Sequence, residues 1–188
     1  MCAWTIGLNP PEPWIPIDLA HAALLMGVVA SLKPERVVEL GFGSGYASDA
    51  ILQGLEWNQK GRLTIVDNWY DWDKKEPGHV ESFRRRGAEF VVSSEEDFVK
   101  TAPDGHYDIL VSDADHLNAH KWVSEHLRIV RAEGFLFFHD VANQELFPNL
   151  ACIITAVQDY PHYLFQANSR PGEACHRGWL MVINRRKS

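Results

Sequence analysis

A loop with three glycines and an acid lies between an apolar run and a helical stretch. It reads Glu39-Leu-Gly41-Phe-Gly43-Ser-Gly45-Tyr46. Glycines let the backbone turn tightly and approach a ligand, and the helix that begins near Tyr46 offers its N-terminus to an anionic group. The spacing therefore predicts a ligand-binding loop.

A further acid follows the second apolar run of the chain. Asp67 comes 22 residues after Gly45, at a position where a carboxylate accepts hydrogen bonds from both hydroxyls of a ribose. After the third run, Ser93 or Ser94 has the form of a helix N-cap, with Glu95 in the first turn. The glycine loop and Asp67 together favour a nucleotide ligand.

Three carboxylates and two imidazoles follow the fourth and fifth apolar runs. They are Asp113, Asp115 and His116, then His139 and Asp140. Two facing aspartates repel each other unless one is protonated, a cation lies between them, or water screens them. A divalent cation is the simplest answer, and its identity stays open: an oxygen-only site suits Mg²⁺, whereas an imidazole ligand favours Mn²⁺, Fe²⁺ or Zn²⁺.

The elements that must position these residues alternate between strand and helix. Predicted strands cover about 36–40, 63–66, 90–92, 107–112, 135–138, 163–167 and 179–184, and predicted helices about 17–32, 46–57, 80–86, 117–130 and 146–160, with one more after Ser94. This alternation is typical of a doubly wound α/β sheet, in which ligands bind outside the carboxyl ends of the strands. We expect an N-terminal arm at 1–16 and a single domain at 17–188.

Composition narrows the classes of partner. The 188 residues carry a net charge of −7, which argues against a nucleic-acid-binding face because such faces depend on clustered positive charge. Three widely spaced cysteines without a Cys-x-x-Cys pair indicate a reduced, cytoplasmic protein. The apolar stretch 17–32 contains Asp18 and His21 and is too short to span a membrane. We therefore expect a small-molecule partner, and a homo-oligomer stays open.

The glycine loop distinguishes two cofactor classes. In the dinucleotide fingerprint G-x-G-x-x-G the third glycine comes one position later than Gly45 does here. The acid followed by G-x-G-x-G, with Asp67 after the second strand, resembles motif I of the class I S-adenosylmethionine-dependent methyltransferases. The resemblance implies a Rossmann-like sheet of seven strands, six parallel and the last antiparallel. The cofactor-binding residues it implies are Glu39, Gly41, Gly43, Gly45, Tyr46, Asp67, Ser94, Glu95 and Asp113, of which Ser94 and Glu95 would border the adenine.

The residues after strands 4 and 5 resemble a narrower branch, the cation-dependent O-methyltransferases and the cephalosporin-hydroxylase-like methyltransferases. The resemblance implies methyl transfer to a hydroxyl, a metal site at Asp113, His139 and Asp140, and catalytic roles for Asp113, His116 and His139. His139 departs from the Asp-Asn pair of the catechol type, so it either ligates the metal, orients Asp140 or ends the strand. Asp115, His116 and His120 are the candidate bases.

Other interpretations stay open at this point. An NAD-dependent oxidoreductase would use a similar sheet, and a non-catalytic S-adenosylmethionine-binding protein would need only the glycine half of the site. Trp69, Tyr70 and Trp72 are equally consistent with a wall over the ligand and with ordinary packing. The run of arginines at 84–86 is expected to be a solvated helix end, with recognition of a substrate phosphate or carboxylate as the alternative.

Overall fold

The computed structural model describes residues 19–70, 73–142, 146–165 and 177–185, which form a seven-stranded sheet with helices on both faces. The helices are α1 (Leu19–Leu32), α2 (Tyr46–Asn58), α3 (Val80–Arg85), α4 (Glu95–Thr101), α5 (Val123–Ile129) and α6 (Ala151–Ala156), with 3₁₀ turns at Ala119–Trp122 and Pro148–Leu150. The strands are β1 (Arg36–Leu40), β2 (Arg62–Asp67), β3 (Glu89–Val92), β4 (Tyr107–Ser112), β5 (Val130–His139), β6 (His162–Phe165) and β7 (Trp179–Ile183). The predicted arm at 1–16 lies outside the described residues.

The strand order is β3-β2-β1-β4-β5-β7-β6. Strands β1 to β5 pair in parallel, and β7 runs antiparallel to both β5 and β6. The predicted fold of six parallel strands and an antiparallel last strand is confirmed. The order reverses between β1 and β4, which places the predicted ligand site beside the ends of these two strands.

Alternating residues of the strands supply two apolar cores. On one face Val37 and Ile109 pack with α1, α2 and α3, and on the other Val38 and Leu110 pack with α4, α5 and α6. A strand that is buried on both faces requires a continuous run of apolar residues. Such runs are visible in the sequence, and for this reason they predict the central strands. No helix in the described ranges is long and apolar enough to cross a membrane.

Three predicted boundaries were wrong. Strand β5 starts at Val130 rather than near 135, because Gly134 lies inside a register shift between β4 and β5 and not at a helix end. The predicted helix 117–130 begins later, since the carboxylate of Asp115 accepts the N–H groups of Leu117 and Asn118 in a turn. The predicted helix 146–160 is reduced to a 3₁₀ turn that starts at Pro148 and to the short helix α6.

Gly41 lets the ends of β1 and β4 approach each other. Its φ is +92°, and a Cβ built on it would lie 2.5 Å from the carbonyl oxygen of Asp113. The N–H of Asp113 donates to the carbonyl of Leu40 at 2.9 Å. The glycine loop and the first residue after β4 are therefore adjacent because position 41 has no side chain.

Substitution of Gly41 by alanine should destabilise the protein through both backbone strain and a clash. Gly87 is a matched control, because its φ of +93° is the same and a Cβ there meets nothing within 4 Å. Gly87→Ala should lower the free energy of unfolding by about 1–2 kcal/mol, and Gly41→Ala by at least about 2 kcal/mol more. Chemical denaturation of both variants measures the difference, and equal losses would contradict the close approach.

Candidate functional site

A cluster of aromatic rings packs against the glycine loop. Phe42 is buried and contacts the rings of Trp69, Phe83 and Phe90 at centroid distances of 5.2–6.1 Å. A Cβ on Gly45 would lie 2.6 Å from Cζ of Phe83, so the loop rests directly on α3. Trp69 is only 4% exposed and belongs to this packing. Of the two interpretations of the aromatic residues after Asp67, a wall over the ligand or ordinary packing, the structure supports ordinary packing for Trp69.

Asp67 links the end of β2 to the glycine loop. Its Oδ2 accepts the N–H of Phe42 at 2.8 Å, and its Oδ1 accepts the N–H of Trp69 at 2.6 Å. Trp69 adopts a φ of +58°, an unfavourable conformation for an aromatic residue, and this turn brings its N–H onto the carboxylate. A carboxylate oxygen can accept more than one hydrogen bond, so these backbone contacts are compatible with Asp67 also accepting one from a ligand.

Glu39 is buried beneath the loop. Its Oε2 accepts the hydroxyl of Ser48 at 2.5 Å, and 1% of the residue is exposed. Burial raises the pKa of Glu39 well above its ordinary value of 4.5, and the nearby charges of Asp113 and Asp67 raise it further, while the hydrogen bond from Ser48 lowers it. Ser48 lies nine residues along the chain from Glu39, and the loop pattern gave no signal for this contact.

Asp113, His116, His139 and Asp140 form one contact group, here called the Asp–His cluster. Nε2 of His116 lies 3.2 Å from Oδ1 of Asp113 and 3.2 Å from Oδ2 of Asp140. Nδ1 of His139 lies 3.0 Å from the same Asp113 oxygen. The residues that follow β4 and β5 therefore meet at one edge of the sheet, although they are more than 20 residues apart in sequence.

The electrostatics of the cluster explain how two facing aspartates are tolerated. Burial alone would lower the pKa of His116, but its hydrogen bonds to Asp113 and Asp140 raise that pKa to about 10. Burial also opposes the shift at His139, whose pKa is raised by the charge of Asp113. Although burial acts to raise the pKa of Asp113, the charge of His139 and the hydrogen bond from His116 hold it far below its usual range. An imidazolium thus lies between the two acids at neutral pH.

The cluster also keeps unused ligand atoms. Among the described residues, Oδ1 of Asp140 and Nε2 of His139 are buried without a hydrogen-bond partner. One ligand atom each from Asp113, His139 and Asp140 lies within 4.8 Å of the others. Two carboxylates and an imidazole are a donor set that divalent transition metals accept. These side chains therefore fit a metal ion.

The backbone at Asp140 and a cationic side chain just before β7 complete this edge. Asp140 has a φ of +59°, and sparsely populated conformations of this kind concentrate at functional sites. Nη1 of Arg177 lies 3.7 Å from its Oδ2. A lone arginine before a strand has no recognisable pattern in the sequence, and only the antiparallel pairing of β7 with β5 brings Arg177 to this edge.

Other candidates have structural partners. Oγ of Ser94 accepts the N–H of Asp97 at 3.1 Å, which confirms the N-cap, and the carboxylate of Glu95 points into the interior. The Asp115 carboxylate is held by the side-chain amide of Asn118 at 3.0–3.2 Å in addition to the N–H groups of its turn. His120 lines a separate groove between α5 and α6.

The arginines at 84–86 pair with acids of the chain itself. Arg84 forms a two-pronged ion pair with Glu76, and Arg85 lies 3.4 Å from Glu81. Arg86 binds Asp49 and Glu56 of α2 and so ties α3 to that helix. These contacts support the reading of a structural helix end over recognition of a substrate phosphate.

The raised pKa of Glu39 predicts a pH-dependent stability. Because its pKa in the folded protein lies above the ordinary 4.5, its favourable contribution is complete below pH 4.5 and is lost as the pH rises toward the folded value. Glu39→Gln keeps the shape without the charge, so its free energy of unfolding relative to wild type should increase from pH 5 to pH 8. Urea denaturation across this range measures it, and a constant difference would contradict a buried, weakly acidic Glu39.

Comparison with known proteins gives the family. Residues 38–141, more than half of the chain, match a family described as methyltransferase domain. A search of curated proteins gave no significant match. The matched range runs from β1 to the residue after Asp140 and so includes the glycine loop, Asp67 and the whole Asp–His cluster.

Solved structures share the fold. Cofactor-bound Rv0187 from MTB is 18% identical with a TM-score of 0.70, over 95% of this chain and 85% of that one. An O-methyltransferase from Bacillus cereus in complex with SAH is 17% identical with a TM-score of 0.69, over 93% and 84%. The O-methyltransferase TomG from Streptomyces achromogenes, in complex with SAM, is 16% identical with a TM-score of 0.67, over 89% and 80%. The predicted methyltransferase resemblance is confirmed, and the alternative of an oxidoreductase is not supported: the chain belongs to the methyltransferase domain family.

Proposed function

We propose that this methyltransferase transfers the methyl group of S-adenosylmethionine to a hydroxyl of a small molecule, with a divalent cation at the Asp–His cluster. The observation that carries the proposal is the adjacency of the two halves of the site. Asp113 follows the strand beside β1, and its carbonyl lies against Gly41 of the loop. A donor on the loop and an acceptor at the cluster would therefore be neighbours, as transfer between them requires.

The cofactor half uses the acids and the glycine loop. S-adenosylmethionine supplies an activated methyl group on a sulfonium centre. We assign the ribose hydroxyls to Asp67, the amino-acid part to the loop 41–45 and Tyr46 above Glu39, and the adenine edge to Ser94 and the backbone of Glu95. Asp113 adds negative charge near the cationic donor, and the positive charge of the donor would favour the ionised form of Glu39. The SAM and SAH complexes of similar folds support this half.

The acceptor half lies at the cluster. Asp113, His139 and Asp140 would hold the cation, since one ligand atom of each lies within 4.8 Å of the others. In addition, Oδ1 of Asp140 and Nε2 of His139 are buried without hydrogen-bond partners among the described residues. When bound, the cation would lower the pKa of a coordinated hydroxyl. His139 is fixed for this task, because its ring packs against Trp179 and its Nδ1 contacts Asp113.

Proton removal falls to the same side chains. We assign His116, which lies between the two aspartates, as the group that receives the proton of the acceptor. It can do so only as a neutral imidazole, and a cation bound to Asp113 and Asp140 would offset the charges that raise its pKa and so favour that form. His116 is partly exposed, and its ring lies 4.4 Å from that of Phe147, which holds it at the rim of the site.

Calorimetric titration with S-adenosylhomocysteine tests the cofactor half without an acceptor. Wild type should bind, and Asp67→Asn should lose about tenfold or more in affinity, because the charged acceptor of the ribose hydroxyls becomes a weaker neutral one. Asp104→Asn is the control, since this exposed acid precedes the N-terminal end of β4, away from the site, and its ion-pair partner among the described residues is Arg128. Absence of binding to wild type would overturn the proposal, and tight binding of NADH instead would favour an oxidoreductase.

Titration with Mn²⁺ followed by electron paramagnetic resonance tests the cation. Binding should weaken more than tenfold in Asp113→Asn and remain unchanged in Asp104→Asn, because only the former removes a charged ligand atom. If S-adenosylhomocysteine binds and Mn²⁺ does not, the reaction depends on the side chains alone. If neither Asp113→Asn nor Asp140→Asn alters any activity while the cofactor binds, the protein is a non-catalytic binder.

A further inference from the structure

We infer that the side chain of Glu95, supported by His126, positions the Asp–His cluster and does not itself contact the adenine. The inference deepens the proposed function and rests on it for its chemical meaning. Glu95 is the first residue of α4, on the opposite side of β4 from the glycine loop's helix, and its side chain is 1% exposed. An acid in that position has to be explained by what it binds.

The carboxylate of Glu95 holds both ends of the segment 112–115. Its Oε1 accepts the hydroxyl of Ser112, the last residue of β4, at 3.0 Å. Its Oε2 accepts the N–H of Asp115 at 3.0 Å. Asp113 and its neighbour Ala114 lie between these two points, so the backbone that carries the Asp113 carboxylate is fixed on either side by one side chain.

His126 fixes the carboxylate in turn. Its Nε2 lies 2.8 Å from Oε1 of Glu95, and the imidazole is fully buried on α5, where it also contacts the ring of Phe138. Phe138 directly precedes His139 on β5. The ring of Phe138 thus helps to hold His126, and His126 restricts the orientation of the Glu95 carboxylate.

The anchor extends to His116. Asp115, held through its N–H by Glu95, uses its own carboxylate to accept the N–H groups of Leu117 and Asn118. His116 is the residue between the anchored Asp115 and this turn. The position from which His116 reaches Asp113 and Asp140 therefore depends on a hydrogen-bond chain that starts at Glu95.

The immediate neighbours of Glu95 do not share this arrangement. Ser94 caps α4. Glu96 is half exposed and pairs with Lys100 one turn along the same helix. Glu96→Ala is therefore a matched control that removes an acid from the same turn without touching the segment 112–115.

The experiment first records ¹H–¹⁵N NMR spectra of the histidine side chains in the full chain without ligands. The same protein is then titrated with Mn²⁺ and, separately, with S-adenosylhomocysteine. In Glu95→Ala the imidazole signals of His116 and His139 should shift, and Mn²⁺ affinity should fall about 10- to 100-fold. The affinity for S-adenosylhomocysteine should stay within about threefold of wild type, because the hydrogen bonds of the Glu95 carboxylate go to Ser112, Asp115 and His126 and not to the glycine loop. Glu96→Ala should leave all three measurements unchanged.

Glu95→Gln is the conservative variant. Its amide oxygen still accepts the N–H of Asp115 and its amide nitrogen donates to the hydroxyl of Ser112, so it should restore most of the wild-type imidazole signals and Mn²⁺ affinity. If Glu95→Ala does not fold, the glutamine variant decides alone: wild-type signals for His116 and His139 are then expected.

Several outcomes would overturn the inference. They are unchanged imidazole signals in Glu95→Ala, a loss of S-adenosylhomocysteine affinity as large as the loss for Mn²⁺, and a glutamine variant that behaves like the alanine variant. If wild type binds neither ligand, the proposed function fails, yet the imidazole signals still decide whether Glu95 positions His116 and His139.

Discussion

The close approach of the β1 and β4 ends is the constraint on which the site depends. Gly41 lies against the backbone of Asp113, so the glycine loop and the acids after β4 share one edge of the sheet. The parallel arrangement of the central strands directs all of their carboxyl ends to that edge. Any side chain at position 41 would separate the two halves that methyl transfer has to bring together.

Crowding of acids at this edge creates a repulsion that the structure compensates in three ways. Asp67 receives two backbone N–H groups, and Glu39 receives a hydroxyl and has a raised pKa. Asp113 and Asp140 instead share the imidazolium of His116. Hydrogen bonds compensate Asp67, a raised pKa that favours the neutral acid compensates Glu39, and an imidazolium compensates Asp113 and Asp140.

The supporting layers are of two kinds. Under the glycine loop the support is apolar: Phe42 is enclosed by rings from α3, β3 and the turn after β2. Under the Asp–His cluster it is polar, with Glu95 and His126 beneath the segment after β4. The apolar layer supports the glycine loop by packing against its shape. The polar layer orients the side chains of the cluster, because hydrogen bonds are directional.

The sequence by itself determined the sheet, the glycine loop and the acids that follow the strands, because apolar runs and glycine spacing are local signals. It also indicated that Asp113 and Asp140 need compensation. Only the tertiary structure decided that His116 supplies it, that Ser48 partners Glu39, and that Glu95 faces inward. These contacts join residues from different elements, and their partners depend on helix orientation and strand order, which no stretch of sequence encodes alone.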